Sequence, residues 1–580
     1  MKNDIFWRFR MIQVTLILVG LAVIVQIVHI QNSPEADLIL EKGRSYVGSW
    51  QTIYPARGGI YDRQGHLLAG NQTVYEAGVD LTTMKDANEI ALAAQIYLKL
   101  DYTTVYAAIT APDAGVTYVV LDKFTAVENV LAFQGFQETL TGQSARNLSA
   151  VYFQPHLIRS YPEKALASNV LGLITLDGGR RSFGIEEKYD SLLAGTAVKR
   201  WIPANPHDAQ QVPEVPSSTT LILTLDREIQ ASMEEILDNA GQIYGAQSGS
   251  IIVADPKTGE ILAMATTPRI DPNHYWDYDT VLNSEAPYNR AISQAYEPGS
   301  VLKILTMAAA LDKGVVQPGT IYNDVTGVIF VGGVPIHNWD NAAWGKQDMT
   351  GCLQHSLNVC LAWVATQMGK NDFYAYMQKF GLGHLTGIDL AGETTGRLKL
   401  PDDTDWYEVD LGTNAFGQGV SVTPIQMIMA ASAIATNGQM PRPHVLQATV
   451  QAGRQHKIPI EIVGTPISSA TAQTLNAMLV NSLENESSLA LVPGYRLAGK
   501  TGTASIPTPD GYTSTRTNAS FVGWGPVDDP KFIVYIWLEQ PTTSIWGSET
   551  AAPVFKQVVQ KLIVLMGIPP DQVRLSLSGH

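Results

Sequence analysis

A serine and a lysine three residues apart could form a nucleophile and its base. Ser300 and Lys303 open an apolar run that Pro298 and Gly299 precede and Gly314 ends, so the sequence predicts a helix over this stretch. Positions i and i+3 share one face of a helix. A serine hydroxyl becomes a good nucleophile when a base takes its proton, and a lysine amine can be that base if burial or a nearby cation lowers its pKa. Alone, Ser-x-x-Lys is a weak signal that an exposed helix pair would also produce.

Ser356 and Asn358 form the sole Ser-x-Asn of the chain, and helical sequence flanks them. Their hydroxyl and carboxamide could relay a proton to a leaving amine and bind a peptide-like substrate. A helix-capping serine is the simpler explanation of this pair. The motif therefore supports the chemistry only in combination with the others.

Lys-Thr-Gly occurs twice, and the two copies differ in context. The copy at 257–259 lies in a predicted hairpin turn, where turn chemistry alone explains it. The second copy enters a strand-like stretch, where its lysine and hydroxyls could hold a carboxylate and its glycine would allow the backbone to approach a ligand closely. The candidate residues of this copy are Lys500, Thr501, Gly502 and Thr503.

Local patterns predict the elements around these motifs. We expect a strand at 220–224, a helix from Asp226 to about Ala240, a hairpin over 249–266 and a final helix near 553–566. A further helix is predicted over 86–99, with Ile90, Leu92, Ala93 and Ile96 on its apolar face. The chain is predicted to be α/β.

Length, composition and charge exclude some classes of protein and indicate a membrane anchor. The chain has 580 residues, which excludes a small disulfide-stapled scaffold. Its net charge is −15 and only 16% of its residues are charged, so nucleic-acid binding is not expected. Residues 11–30 carry no formal charge and are long enough to cross a membrane. We expect an uncleaved anchor rather than a signal peptide, because the apolar run is long and no small-x-small cleavage site follows it. Basic residues before the span and acidic ones after it predict a cytoplasmic N-terminus and an extracytoplasmic remainder.

We expect four regions: a cytoplasmic tail at 1–10, a transmembrane anchor at 11–31, a mixed α/β pedestal at 32–219 and a large α/β domain at 220–580. The proline-rich segment 203–218 is predicted to be a linker or surface excursion. On one continuous helix, Cys352 and Cys360 would be about 12 Å apart, too far for a disulfide. They are therefore expected to be small packing residues, with a free thiol as the exception.

The ordered set of Ser-x-x-Lys, Ser-x-Asn and Lys-Thr-Gly resembles that of the penicillin-binding transpeptidases, which cross-link bacterial peptidoglycan. The segments at 57–69, 159–172 and 184–195 look like pedestal motifs of class B members, and no glycosyltransferase module of the class A kind is evident. The resemblance implies an elongated pedestal followed by a serine β-lactamase-like domain, an antiparallel sheet flanked by helices. The stretches around Asn358 and at 380–396 look more like the septal or sporulation branch than the elongation branch.

This resemblance also implies a mechanism. Ser300 would attack the D-Ala-D-Ala terminus of a stem peptide with Lys303 as base, and the backbone N–H groups of Ser300 and Thr503 would form the oxyanion hole. Ser356 with Lys500 would pass a proton to the departing D-alanine, and Asn358 would orient Lys303 and the substrate amide. β-Lactams would trap the same serine, and no metal or organic cofactor is expected.

Two alternatives stay open on the sequence. One is a D,D-carboxypeptidase or β-lactamase-type hydrolase, which would pass the acyl group to water. The other is a non-catalytic β-lactam sensor or divisome scaffold. The family resemblance further implies a polytopic membrane glycan polymerase and other divisome membrane proteins as partners.

Overall fold

The structure is a computed structural model that describes residues 3–31, 48–53, 55–113, 115–175, 181–203, 218–282, 288–485, 489–508 and 511–578. Two compact bodies divide the chain: Met1–Ala56 with Ala194–Ser218, and Arg57–Leu193 with Thr219–His580. Most of the predicted linker, residues 204–217, lies outside the described residues.

The first body contains an apolar helix and a two-stranded ribbon. The helix spans Asn3–Gln31, and its segment Trp7–Ile30 has a mean hydropathy of 2.6 over its most apolar window. Within the described residues it is the one helix that is long and apolar enough to cross a bilayer. The ribbon pairs Gly48–Ile53 antiparallel with Val198–Pro203.

The second body is built around a five-stranded antiparallel sheet. Its spatial order is Ile261–Thr267, Ser248–Ala254, Phe532–Glu539, Gly511–Gly525 and Ala498–Thr508. We call the last of these the KTG strand, because it carries residues 500–502. It lies at the edge of the sheet, so one side of its backbone is free of strand partners in the described structure.

Helices cover both faces of this sheet. Successive residues of a strand point to opposite faces: Ile251 and Val253 pack with the helices Arg227–Tyr244 and Ala551–Leu565, whereas Ile252 packs with the buried helices on the other face. The result is the predicted antiparallel sheet flanked by helices. The predicted α/β fold class is therefore confirmed.

A second sheet of seven strands lies in the same body and joins early and late parts of the chain. In spatial order it contains Arg454–Lys457, Leu446–Gln451, Thr220–Leu223, Ile60–Tyr61, Leu67–Asp80 and Tyr118–Ala126, with Val151–Ser160 also paired to Leu67–Asp80. Four small two-stranded pairs complete the strands of this body: Leu173–Ile174 with Arg181–Ser182, Tyr322–Asp324 with Gly345–Gln347, Val328–Val331 with Val334–His337, and Met440–Pro441 with Ile462–Gly464.

The remaining helical elements are mostly short. The α-helices not yet named are Ala87–Ala93, Tyr102–Thr110, Val127–Thr139, Gly142–Leu148, Ser168–Leu171, Gly184–Lys188, Asp190–Ala194, Tyr278–Val281, Arg290–Ser293, Lys303–Lys313, Met349–Gln354, Asn358–Met368, Lys370–Lys379, Glu408–Asn414, Pro424–Ala435, Ser469–Asn485 and Asp571–Ser578. Two 3₁₀ segments, Pro272–Asp277 and Gly299–Leu302, and one π-helical turn, Ala94–Leu98, accompany them.

Most local predictions match these elements. Asp226 caps the helix Arg227–Tyr244 by accepting from two backbone amides, and Gly259, at φ 79°, closes the hairpin turn that holds the first Lys-Thr-Gly. The apolar face predicted for 86–99 is partly wrong. Leu92 and Ile96 are exposed, because the α-helix ends at Ala93 and a π-helical turn, which advances the face by a different angle, takes over.

A buried cluster of ion pairs joins three segments from the first part of this body. Glu186, which is fully buried, accepts hydrogen bonds from Arg57 Nε at 2.8 Å and Arg159 Nε at 2.5 Å. Arg159 also donates to the carbonyl of Gly58. Three segments that are distant in sequence thus meet at one carboxylate.

Candidate active site

Ser300 lies on the single 3₁₀ turn Gly299–Leu302, which runs directly into the helix Lys303–Lys313. The predicted helix begins and ends as expected, with Gly314 at φ 79° closing it, although its first turn is tighter than an α-helix. The amide of Lys303 donates to the carbonyl of Ser300. A 3₁₀ turn places residues i and i+3 one above the other, so Ser300 and Lys303 lie on the same side of the segment.

Two glycines hold this turn in place. Gly299 has φ 60°, and its amide donates to the carbonyl of Gly417 at 3.0 Å. A Cβ at Gly299 would lie 2.6 Å from the carbonyl oxygen of Thr503, and a Cβ at Gly417 would lie 2.2 Å from the carbonyl oxygen of Gly299. The turn that bears Ser300 is therefore packed between the KTG strand and the loop 416–419, at a separation that only glycine permits.

Lys303 is completely buried, and its Nζ is turned toward the Ser-x-Asn motif. Nζ lies 2.6 Å from the carbonyl oxygen of Ser356, 3.1 Å from Ser356 Oγ and 2.8 Å from Asn358 Oδ1. Burial lowers the pKa of Lys303 well below its usual value, and the positive charge of Lys500 lowers it further. Both effects favour the neutral amine that a general base requires.

The Ser-x-Asn motif lies in a break between two helices. Met349–Gln354 ends before it, Asn358–Met368 follows it, and Ser356 itself has a left-handed backbone with φ 53°. Ser356 is therefore not a helix cap; the residue at the cap position of the second helix is Leu357. The break turns both the carbonyl and the hydroxyl of Ser356 toward Lys303.

The expectation for the two cysteines is wrong. Cys352 and Cys360 form a disulfide, with their Cα atoms 6.1 Å apart. The estimate of about 12 Å assumed one continuous helix, but the chain reverses at the Ser356 break and brings the two helices together. Because both cysteines are buried on either side of the break, the disulfide clamps the two helices that carry the motif.

The KTG strand supplies the opposite wall. The side chain of Lys500 is almost fully buried, and its Nζ lies 3.3 Å from Thr501 Oγ1. Thr503 Oγ1 accepts from the amide of Gly547 at 2.9 Å. We expected Gly502 to let the backbone approach a ligand closely. In the structure the close neighbour is a protein atom, since a Cβ at Gly502 would lie 2.2 Å from the hydroxyl of Ser520.

These walls enclose a cleft of about 590 Å³. Of the predicted site residues, six line it directly: Ser300, Ser356, Asn358, Lys500, Thr501 and Thr503. Lys303 lies beneath them and reaches the cleft through Ser356 and Asn358. Among the described residues no group of three or more metal-binding side chains is present. The structure thus brings together groups that the chain separates by about two hundred positions.

Sequence reasoning missed several residues of the cleft. Trp339 and Trp546 lie on opposite sides of it, with ring centroids 5.4 Å apart, and His355 and Glu549 also line it. Single tryptophans and glutamates in loops carry no spacing signal. The one available sequence signal was the position of Trp546, which lies in a loop seven residues after a β-strand and five residues before a helix.

Residues 249–560 match the family model described as the penicillin binding protein transpeptidase domain, and residues 52–216 match the penicillin-binding protein dimerisation domain. The chain belongs to the class B penicillin-binding proteins. The matched transpeptidase segment of this class B penicillin-binding protein includes all eight candidate site residues.

Curated relatives and solved structures agree with this assignment. The class B penicillin-binding protein is 30% identical to stage V sporulation protein D of Bacillus subtilis, over 89% of this chain and 79% of that protein. It is 28% identical to the peptidoglycan D,D-transpeptidase FtsI of Escherichia coli, over 98% and 93% of the two chains. The crystal structure of penicillin binding protein 3 from Mycobacterium tuberculosis with aztreonam matches 90% of this chain and 98% of its own, with a TM-score of 0.68 and 27% identity. Together with the apolar helix, these relatives indicate a membrane-anchored protein of the septal or sporulation type.

Proposed function

We propose that this protein is a serine D,D-transpeptidase that cross-links the stem peptides of bacterial peptidoglycan. The observation that carries the proposal is the buried amine of Lys303, which is held by Ser356 and Asn358 directly beside the turn that bears Ser300. This arrangement provides a nucleophile, a base with a lowered pKa and a hydroxyl for proton transfer in one cleft.

In the first step, Ser300 Oγ attacks the carbonyl carbon of the penultimate D-alanine while Lys303 takes the hydroxyl proton. The backbone N–H groups of Ser300 and Thr503 receive the oxyanion; such donors typically contribute about 3 to 4 kcal/mol each. Ser356, which lies 3.1 Å from Lys303 Nζ, carries the proton to the departing D-alanine. Lys500 assists that transfer, and with Thr501 and Thr503 it binds the carboxylate of the stem peptide. An ester between Ser300 and the stem peptide results.

In the second step, an amine of a neighbouring stem peptide takes the acyl group. Its nitrogen bonds to the acyl carbon, the ester bond to Ser300 breaks, and the proton lost by the amine returns to Ser300 Oγ through Lys303. A β-lactam acylates the same serine, as the aztreonam and ampicillin complexes of the mycobacterial relative suggest.

Acylation by a fluorescent penicillin tests the nucleophile. We expect the full-length, detergent-solubilised protein to be labelled and the Ser300→Ala protein to remain unlabelled. Equal labelling of both proteins would remove Ser300 as the acylated residue. A Lys257→Ala protein is the matched control, because that lysine belongs to the exposed Lys-Thr-Gly turn, where it pairs with Asp529.

Product analysis separates transfer from hydrolysis. With a D-Ala-D-Ala substrate and an acceptor amine, a transpeptidase yields a new amide that mass spectrometry detects. Exclusive recovery of the shortened, hydrolysed peptide would favour the carboxypeptidase alternative, and labelling without either product would favour a sensor or scaffold.

We further propose that the helix Asn3–Gln31 anchors the protein with its N-terminus in the cytoplasm and the catalytic body outside. The proposed partners are a polytopic glycan polymerase and other division proteins of the same membrane. A fluorescent fusion that stays off the septum of dividing cells would contradict the septal role. Undiminished association with the polymerase after the helix is exchanged for an unrelated apolar helix would contradict a partner contact through the anchor.

A further inference from the structure

The cleft carries charges of both signs at different places. Lys303 and Lys500 lie in its floor and in the KTG strand, whereas Glu549 is the one carboxylate among the described residues that line it. The transfer reaction joins two substrates of opposite character, a peptide that ends in a carboxylate and an amine. The proposed function assigns the lysine side to the carboxylate and leaves Glu549 without a role.

Glu549 is positioned by the loop that connects the strand Phe532–Glu539 to the helix Ala551–Leu565. Gly547 ties this loop to the KTG strand, because its amide donates to Thr503 Oγ1 and a Cβ on it would lie 2.1 Å from the carbonyl oxygen of Gly502. Thr503 is three residues beyond Lys500, which corresponds to about 10 Å along an extended strand. The loop that carries Glu549 is thus attached to the KTG strand two to three residues beyond Lys500.

One oxygen of Glu549 is held and the other is available. Ser544 Oγ donates to Oε2 at 2.6 Å, which fixes the orientation of the carboxylate. Within the described part of the chain, Oε1 accepts no hydrogen bond and the side chain has no cationic partner. An exposed but oriented carboxylate in a substrate cleft is suited to bind an incoming cation.

Two indole rings lie at the same end of the cleft. Trp546, three residues before Glu549, meets Trp339 at an interplanar angle of 75°. Trp339 is anchored on the other wall, since its Nε1 donates to the carbonyl of His355 at 3.1 Å. An edge-to-face pair leaves ring face uncovered by the contact, and such faces attract ammonium groups within about 6 Å.

We propose that Glu549, Trp546 and Trp339 form the acceptor subsite, which binds a primary amine that arrives as its ammonium ion. The inference rests on the proposed transpeptidase function and specifies the second substrate as cationic. Glu549 supplies charge and the two indoles supply π faces, so the subsite selects charged amines over neutral nucleophiles, including water.

The chemistry balances without another reactant. The bound ammonium ion releases one proton to water through the open side of the cleft. The neutral amine then attacks the acyl carbon, the ester bond to Ser300 breaks, and the second proton passes to Ser300 Oγ through Lys303. The products are one amide and the free enzyme.

Two acceptors of different charge test the subsite on the full-length protein. Nα-acetyl-lysine amide is cationic near neutral pH, whereas hydroxylamine is neutral. We expect Glu549→Gln to raise the half-saturating concentration of the lysine amide about 5-fold, equivalent to about 1 kcal/mol. The half-saturating concentration of hydroxylamine should be the same in the variant and in the wild type. Glu549→Asp should recover part of the loss, and Trp546→Leu should raise the half-saturating concentration as well, again more for the cationic acceptor.

Glu235→Gln is the matched control, because it removes the same charge from an exposed position of the helix Arg227–Tyr244. It should change neither half-saturating concentration. Acylation by fluorescent penicillin confirms that each variant is folded. An equal change for both acceptors, or no change for the lysine amide, overturns the subsite while the transpeptidase function stands. A wild-type protein that takes penicillin but transfers to neither acceptor overturns the proposed function and the subsite with it.

Discussion

Replacing Asn358 with aspartate should inactivate the proposed base, Lys303, while the site keeps its shape. Asn358 Oδ1 lies 2.8 Å from Lys303 Nζ, so the substitution exchanges a neutral oxygen for a charged one at that distance. Opposite unit charges 2.8 Å apart attract by roughly 6 kcal/mol at an effective dielectric constant of about 20. Residue 358 is only half-buried, so we halve this value to about 3 kcal/mol, which corresponds to about 2 pKa units.

The sign of the effect follows from the charge of lysine. A neighbouring carboxylate stabilises the ammonium form and raises the pKa of Lys303, whereas burial and Lys500 lower it in the native enzyme. Acylation needs the neutral amine, so its rate increases as the pH passes upward through this pKa. In the Asn358→Asp protein the rising limb should lie about 2 pH units higher, so at pH values below both limbs the rate should fall roughly 100-fold.

The assay is the second-order rate constant of acylation by a fluorescent penicillin, measured from neutral to alkaline pH. Asn358→Ala is the control, because it removes the same hydrogen bond without adding a charge. It should lower the rate at every pH and leave the limb of the profile close to its native position. Coincident limbs for the aspartate and alanine variants would refute the role of a neutral Lys303.

Three further variants test contacts that stabilise the site and the fold around it. Gly417→Ala places a Cβ 2.2 Å from the carbonyl oxygen of Gly299, in a residue with φ 84°. The substitution should lower the free energy of unfolding by about 2 to 4 kcal/mol and slow acylation, as a denaturation curve and penicillin labelling would show. Native values for both would contradict the close packing of the turn that bears Ser300. Replacing both Cys352 and Cys360 with serine should lower the free energy of unfolding by about 2.5 kcal/mol, seen as a lower denaturation midpoint than that of the oxidised protein. An unchanged midpoint would mean that the disulfide does not stabilise the break. Glu186→Gln leaves the buried Arg159 without its carboxylate and Arg57 with Asp190 alone, so it should cost about 3 to 5 kcal/mol in urea denaturation. A loss well below 1 kcal/mol would show that solvent reaches the cluster.

The local elements and the types of reactive group could be predicted from the sequence. The apolar helix, the hairpin closed at Gly259 and the helix that ends at Gly314 follow from hydropathy and from the backbone preferences of glycine. These signals act over a few residues, so they survive in any fold. The three motifs likewise identified Ser300 and Lys303 and their expected companions without coordinates.

Local patterns failed where the backbone departs from regular structure. The disulfide between Cys352 and Cys360 depends on the left-handed residue Ser356, which ends one helix and starts the next. The sequence-based distance between the two cysteines assumed one continuous helix, and the flanking sequence carries no signal of the reversal. The carbonyl of Ser356 accepts a hydrogen bond from Lys303, a contact between residues 53 positions apart that no local pattern encodes.

The environment of the site depends on the fold of the whole chain. The lowered pKa of Lys303 comes from its complete burial and from Lys500, which is 197 positions away in sequence and lies on the KTG strand. The pairing of Trp339 with Trp546 depends in the same way on the meeting of two loops. Residue types can be read one at a time, but solvation and electrostatic interaction depend on which atoms surround a group, and the folded chain alone sets those neighbours.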